Sequence, residues 1–288
     1  MPFFKSIGSF TKMIYSAFFD RPVKRLRFYV SEIESPRLPE AFDGMRVMHL
    51  SDLHAKDYGS GYRTLINACR RHKPDIIVFT GDIFSRDESI QRIMTRVPMM
   101  RELADTAPVY YITGNHEVDA PEKTEILCKT LEGVGVTVLR SKSTKIFRGG
   151  EHINIYGLEM PRECFRAADG SFKGLRKLTV GDIDDLLGRP ESDGFNLLLA
   201  HSPIQFQQFA EWGADLTMSG HIHGGIIRIL GTGLLSPERR FFPKYTKGVY
   251  RRKSGRGEAV LEVSAGLGKF RINNPESVPI CILRRQQK

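Results

Sequence analysis

Three apolar runs, "MRVMHLSD" (45–52), "PDIIVFTGD" (74–82) and "PVYYITGNHE" (108–117), recur at intervals of about thirty residues, and each ends in polar residues. Helical periodicity fills the intervals, from about Tyr62 to His72 and from about Glu88 to Ala104. A third such stretch, "EKTEILCKTLEGVG", follows and is stopped by Gly133 and Gly135. Strand–helix alternation of this kind specifies parallel strands joined by crossover helices, so the first half reads as an α/β fold. Beyond it, "VTVL", "TKIFRG" and "HINIYGLEM" read as short strands with no long helix between them. A helix in "LTVGDIDDLLG", a strand in "FNLLLAHSP", a helix in "PIQFQQFAEWG" and a strand in "ADLTMSGHIHGG" come next. The end of the chain, "KGVYRR", "EAVLEVSAGLG" and "VPICILRR", is again β-like. Two sheets flanked by helices accommodate both halves in one domain, with no linker or internal repeat.

The strand ends carry the chemistry. They are "HLSDLH" (Asp52, His54), "FTGD" (Asp82), "ITGNHE" (Asn115, His116), "LLLAHSP" (His201) and "MSGHIH" (His221, His223), and they hold six of the eight histidines, His49 included. One such ending is unremarkable; five point to a shared crevice at the strand C-termini. Side-chain alternation along a strand aims Asp52 with His54, and His221 with His223, toward the same face. Eight positions exceed one tetrahedral zinc. A mixed set of carboxylates, imidazoles and an amide suits two divalent ions roughly 3.5–4 Å apart, bridged by a carboxylate. Two such ions and two aspartates leave a cationic centre, which attracts a phosphate ester and lowers the pKa of a bridging water. His49 reads as a hydrogen-bonded core histidine, His72 as the end of a helix, His152 as a loop residue, and Asp57 and Asp87 as turn residues.

Taken in order, "D-x-H … GD … GNHE … H … GHxH" resembles the calcineurin-like metallophosphoesterase superfamily over Val47 to about Gly225. The tail, "KGVYRR…AVLEVSAGLGKFRINNPESVPICIL", is similar to the bacterial branch that contains YkuE, YaeI and the UDP-2,3-diacylglucosamine pyrophosphatase LpxG. The resemblance implies a four-layer αββα sandwich of two mixed sheets flanked by helices. It assigns one metal to Asp52, His54, Asp82 and His223, and the other to Asp82, Asn115, His201 and His221, with Asp82 bridging. It makes His116 not a ligand but the group that faces the leaving oxygen, as general acid or charge stabiliser. Relatives commonly carry "GHTHGGQ", and this chain has Ile222 and Ile226 at the Thr and Gln positions. Ile222 is expected to face away from the metals and Ile226 to lie near the substrate mouth. Lys269 and Arg271 of "GLGKFRINNP" are expected to contact substrate anions.

The formal charge of +10 sits in two places: residues 1–30 carry net +5 and residues 239–256 net +8, leaving −3 elsewhere. Such a distribution argues against general nucleic-acid binding and for local contact with an anionic surface or substrate. Residues 1–30 form an amphipathic basic segment, with Phe3, Ile7, Phe10, Ile14 and Phe18 on one side at helical spacing. Its two destinations are a membrane interface and the protein's own core, and it precedes a single domain over 31–288. No cleavable signal peptide or membrane-spanning stretch is read. Cys69, Cys128, Cys164 and Cys281 are scattered, as in a reducing cytosol. The expected protein is therefore a cytoplasmic two-metal phosphodiesterase or pyrophosphatase, peripheral at the inner face of the cell membrane, with a lipid-linked substrate such as UDP-2,3-diacylglucosamine. Manganese leads the metals, with iron, zinc, cobalt and nickel as alternatives. A nucleotide or nucleic-acid phosphodiesterase and a silent scaffold on the same fold are the competing readings.

Overall fold

The computed structural model describes residues 26–269 and 271–286. Strand β2 (Arg46–Leu50), β3 (Ile76–Thr80), β4 (Val109–Ile112) and β5 (Val136–Val138) pair in parallel, as their crossover helices require. The connecting helices are α1 (Arg63–Arg71), α2 (Ile90–Met94), α3 (Val97–Ala104), α4 (Asn115–Val118) and α5 (Pro121–Gly133). Strand β14 (Ser277–Arg285) pairs antiparallel with β2, and an outer strand β1 (Arg27–Ser35) lies parallel to β14, completing a six-stranded sheet. The second six-stranded sheet runs in the order β12 (Gly248–Ser254), β13 (Gly257–Val263), β9 (Leu216–Ser219), β8 (Asn196–Ala200), β7 (Glu151–Leu158), β6 (Lys142–Arg148).

Why these runs are apolar throughout is visible in their alternation. Ile76 and Val78 of β3 face the core between the sheets, while Ile77 and Phe79 face the helices α1, α3 and α5. In β8, Leu197 and Leu199 point to the inter-sheet core, and Leu198 points to the layer formed by α6 (Val180–Leu187) and α7 (Phe206–Trp212). A strand buried on both faces has no polar side to show. The result is the four-layer αββα sandwich, with three apolar interfaces stacked through it.

Two features depart from the sequence reading. The stretch 88–104 is two helices, because Pro98 in the first turn of α3 has no N–H to continue α2. Strand β1 was not legible: most of its side chains are exposed or half-buried, and the 30/31 boundary falls inside it. The amphipathic pattern of residues 1–25 lies outside the described residues.

Candidate metal centre

Every ligand-type residue sits just past a strand end, where the chain leaves the sheet. The expected mechanism of convergence, strand alternation, is not the one used. Strand β9 ends at Ser219, and His221 and His223 follow in a tight loop with φ of 69° and 52°. Asp52, His54 and Asp82 are left-handed as well, with φ of 52°, 50° and 53°. Five non-glycine residues in a region that disfavours a Cβ mark strain concentrated in one place. Close backbone approach makes this possible. A Cβ on Gly220 would run into the Ser51 hydroxyl and the Asp52 carboxylate, and one on Gly114 into Asp82.

Around Asp82 Oδ2 lie His201 Nε2 at 3.4 Å, His54 Nε2 at 3.6 Å and His116 Nε2 at 3.9 Å. Around Asp52 Oδ1 lie His201 Nε2 at 3.9 Å and the Nε2 atoms of His54 and His223 at 4.0 Å. These exceed hydrogen-bond lengths, but donor atoms about 2.1 Å from a shared ion stand roughly 3–4 Å apart. Three clusters are compact enough to share an ion: Asp52–His54–His223, Asp82–His201–His221 and His54–Asp82–His116. Both nitrogens of His54 and Nδ1 of His223 are buried without a hydrogen-bond partner among the described residues. The amide oxygen of Asn115 faces Asp82 Oδ2, His201 Nε2 and His221 Nδ1, at 3.3, 3.2 and 2.8 Å, all of them acceptors. Turning the amide over would convert these contacts to hydrogen bonds; a cation would satisfy them as they stand. The donor set thus fits metal ions.

The surroundings prepare the ligands. His201 Nδ1–H donates to the Thr80 carbonyl at 2.6 Å, which leaves Nε2 free to face the site. The Asp52 carboxylate accepts from Ser51 Oγ at 2.6 Å and from the His221 backbone N–H. Burial opposes ionisation of Asp82, yet the facing His201 and His116 rings hold its carboxyl well below the usual range. Burial works against His201 too, but Asp82 raises it to about 10. Burial pushes His54 and His223 well below an ordinary imidazole, which keeps their lone pairs available.

His116 is set apart by its partner. The Arg86 backbone N–H donates to His116 Nδ1 at 3.0 Å, so the neutral ring carries its proton on Nε2. Burial, reinforced by Lys269 and Arg86, lowers this imidazole to about 4 against the opposing pull of Asp82. It is a neutral N–H donor aimed into the cavity.

Other functional residues escaped sequence reasoning. Glu117, the last letter of "GNHE", accepts backbone N–H groups from Gly114, Asp82 and Ile83 at 2.7–2.8 Å and so ties two ligand loops together. Burial and the Asp82 charge push it up to about 8, while those donors pull the other way. Arg96, fully buried, donates to the His54 carbonyl at 2.7 Å and pairs with Glu88 at 2.6 Å. Glu238, from the loop after β11 (Thr232–Gly233), contacts His221 Nε2. Burial would raise this acid, but His221 takes it down to about 2. Glu262, inside the sandwich, accepts from Tyr29 at 2.9 Å and meets His49, which is the hydrogen-bonded core histidine expected from the sequence and reaches Thr80 with its other nitrogen. Of these, only the Glu of "GNHE" stood beside a recognisable signal.

A cavity of about 360 Å³ opens beside the cluster. Asp82, Asn115, His116, His221 and His223 form its floor, and Arg86, Arg166, Lys269, Phe165, Phe172 and Ile226 are in its walls. Ile222 is buried away from this cavity and lines a separate one with Ile204 and Tyr245. Arg271 does not line the cavity; its guanidinium donates to the carbonyls of Ala265, Gly266 and Gly268 and clasps the loop that carries Lys269.

A cluster of histidines and aspartates at strand ends, between two sheets in an αββα sandwich, defines a metal-dependent phosphoesterase site. The profile of the calcineurin-like phosphoesterase family matches residues 45–225, and the chain belongs to that family. It is 30% identical over 253 residues to "Uncharacterized metallophosphoesterase YkuE" of Bacillus subtilis, covering 83% of this chain and 78% of that one. To YkoQ of the same organism it is 25% identical over 219 residues, covering 76% and 74%. The fold is shared with the NAD nucleotidase of Haemophilus influenzae, with a TM-score of 0.52 and 14% identity over 77% of this chain and 45% of that one. The protein is thus a metal-dependent phosphoester hydrolase with a dimetal site.

Proposed function

We propose that the protein hydrolyses phosphodiesters or pyrophosphates, with Asp52, His54, Asp82 and His223 holding one divalent ion and Asp82, Asn115, His201 and His221 the other. The observation that carries this reading is the convergence of the buried His54 and His223 rings on Asp82 and Asp52, with the Asn115 oxygen facing Asp82 beside them. The His54 nitrogens and His223 Nδ1 have no hydrogen-bond partner among the described residues. Divalent ions held by these residues would supply activation of water and charge to offset the phosphoryl oxygens. Manganese is our choice of metal, with iron, zinc, cobalt or nickel acceptable to the same ligands. His116 donates its Nε2 proton's hydrogen bond to the departing oxygen, and its Nδ1 contact with Arg86 keeps the ring in that orientation. Lys269, Arg86 and Arg166 receive the substrate's anionic oxygens from the cavity wall. Phe165, Phe172 and Ile226 exclude water and make the same wall partly apolar.

This mixture of cations and apolar side chains supports a lipid-linked substrate, of which UDP-2,3-diacylglucosamine is the most concrete candidate, met at the inner surface of the cell membrane. All four cysteines are free and buried, as suits a reducing compartment, and among the described residues no helix is long and apolar enough to cross a membrane. The test is hydrolysis of bis-p-nitrophenyl phosphate against p-nitrophenyl phosphate, with and without Mn²⁺, in wild type and Asp82→Ala. Metal-dependent turnover favouring the diester, lost in the variant, is expected. No turnover of either compound with any of these metals, or of UDP-2,3-diacylglucosamine, would leave a silent scaffold on the same fold.

A further inference from the structure

Among the described residues, four large apolar side chains that are half exposed or more lie within residues 229–242: Ile229 at 53%, Leu230 at 100%, Phe241 at 75% and Phe242 at 70%. They share one ribbon. Strand β10 (Arg228–Ile229) pairs antiparallel with β11, and the pairing continues where Leu234 N–H donates to Ile227 at 2.8 Å and Ile226 N–H to Leu235 at 2.7 Å. A third line of chain joins it through the Leu235–Phe241 bridge and the Phe242 N–H bond to Leu234 at 2.9 Å. Ile229 and Leu230 form the hairpin tip, and Phe241 and Phe242 the outer line. Interleaved with them are Arg239, Arg240 and Lys244, none of which forms an ion pair among the described residues. The ribbon's sole acid, Glu238, is buried against His221.

Continuity with the cavity gives the ribbon its meaning. Ile226, Pro237 and Glu238 line the catalytic cavity, and Arg239 and Arg240 line an adjoining groove of about 680 Å³ with Arg166, Lys173 and Phe172. We propose that this ribbon docks on an anionic lipid bilayer, with Ile229, Leu230, Phe241 and Phe242 entering the headgroup–acyl boundary while Arg239, Arg240 and Lys244 meet lipid phosphates. A side chain as exposed as Leu230 projects from the surface, and a soft bilayer accepts a projection without a preformed pocket. Three unneutralised cations among the apolar groups match anionic headgroups and would burden a dry protein interface with unpaired charge. Docked in this way, the ribbon places the cavity mouth beside the bilayer. The proposal deepens the lipid-linked reading above and rests on it for the route by which substrate arrives.

The test is co-sedimentation of the full chain with phosphatidylcholine vesicles, with and without phosphatidylglycerol, across a salt series. Wild type is expected to bind the anionic vesicles, more weakly as salt rises. The L230S/F241S/F242S variant is expected to bind at least about tenfold more weakly, because the apolar area that enters the boundary is gone. The R239Q/R240Q/K244Q variant is expected to lose the preference for phosphatidylglycerol. Both variants should hydrolyse soluble bis-p-nitrophenyl phosphate as wild type does, which shows that they are folded. Vesicle binding undiminished in both variants would overturn the proposal and assign the contact to residues 1–25. Absence of vesicle binding by wild type would overturn it in favour of a protein partner. Vesicle binding lost in the variants, from a wild type that hydrolyses nothing, would sustain the docking surface and sink the hydrolase reading instead.

Discussion

Asp82 is the residue on which the site turns, because among the described residues its carboxylate alone lies within 4 Å of the rings of His54, His116 and His201. Asp82→Ala is expected to remove metal binding and activity together, read by metal analysis of the purified variant beside its turnover. His116 is different in kind. His116→Ala should retain both ions and lose roughly 10²–10⁴-fold in rate, the usual size of a positioned proton donor's contribution. An H116A protein that loses its metals would refute the assignment. Since burial keeps His116 neutral down to about 4, its own titration should put no acid limb near pH 6.5 in the rate profile. A loss of rate as pH rises through that region, abolished in H116A, would mean that the imidazolium is the working form.

The loops that carry the proposed ligands are held, element by element, by residues that do not line the cavity. Arg96 lies in the break between α2 and α3 and anchors the His54 carbonyl while neutralising the buried Glu88. Arg96→Ala should cost about 3–5 kcal/mol in denaturant unfolding, the penalty of stranding a buried charge. It should also weaken metal retention, because His54 loses its backbone support. A surface-like effect below about 1 kcal/mol would contradict the buried-pair reading. Tyr29 on β1 makes a gentler test. Tyr29→Phe removes one donor from Glu262 and should destabilise by about 1–3 kcal/mol, showing that β1 is bonded into the sandwich and not merely laid on its edge.

The whole molecule should respond to metal and pH as a linked system. In the metal-free protein, His54 and His223 titrate below their unfolded value, so the unfolded chain binds protons first as pH falls. Their contribution to stability is present above pH 6.5 and declines below it, and His116 adds to the loss down to about 4. Glu238 has the same sign lower on the scale, with its contribution lost as pH falls from the ordinary carboxylate range toward about 2. His201 has the opposite sign, stabilising below pH 6.5 and losing that contribution as pH rises through about 10. Glu117, raised to about 8, opposes the imidazoles by taking up its proton first in the folded state. Three lowered imidazoles outnumber it, so melting temperatures of the chelated protein should fall from pH 7 to pH 4. Mn²⁺ at a hundred times its dissociation constant should add about 2.7 kcal/mol per site at pH 7. A metal-independent melting temperature at pH 7 would contradict the dimetal reading.

How much of this could be read from the chain alone follows from where each signal is local. The strands β2, β3, β4 and β8 are buried on both faces and so mostly apolar, and the proposed ligands stand just past their ends and past the end of β9, where five short motifs declare them. The parallel order, the two sheets and the eight polar positions were legible for that reason. What was not legible depends on partners far away in sequence. Strand β1 finds its neighbour some 250 residues downstream, and its own pattern is too exposed to announce it. Glu238, Arg96 and Glu262 look like any charged residue until burial sets each against partners far from it in sequence or fold. The aim of His221 and His223 comes not from strand periodicity but from a left-handed loop, admitted by Gly220 against Ser51 and Asp52 across the sandwich. Residue types at strand ends determined the chemistry this protein can hold; close approach of distant loops decided the geometry in which it is held, because left-handed backbone and buried charge persist only where tertiary contacts sustain them.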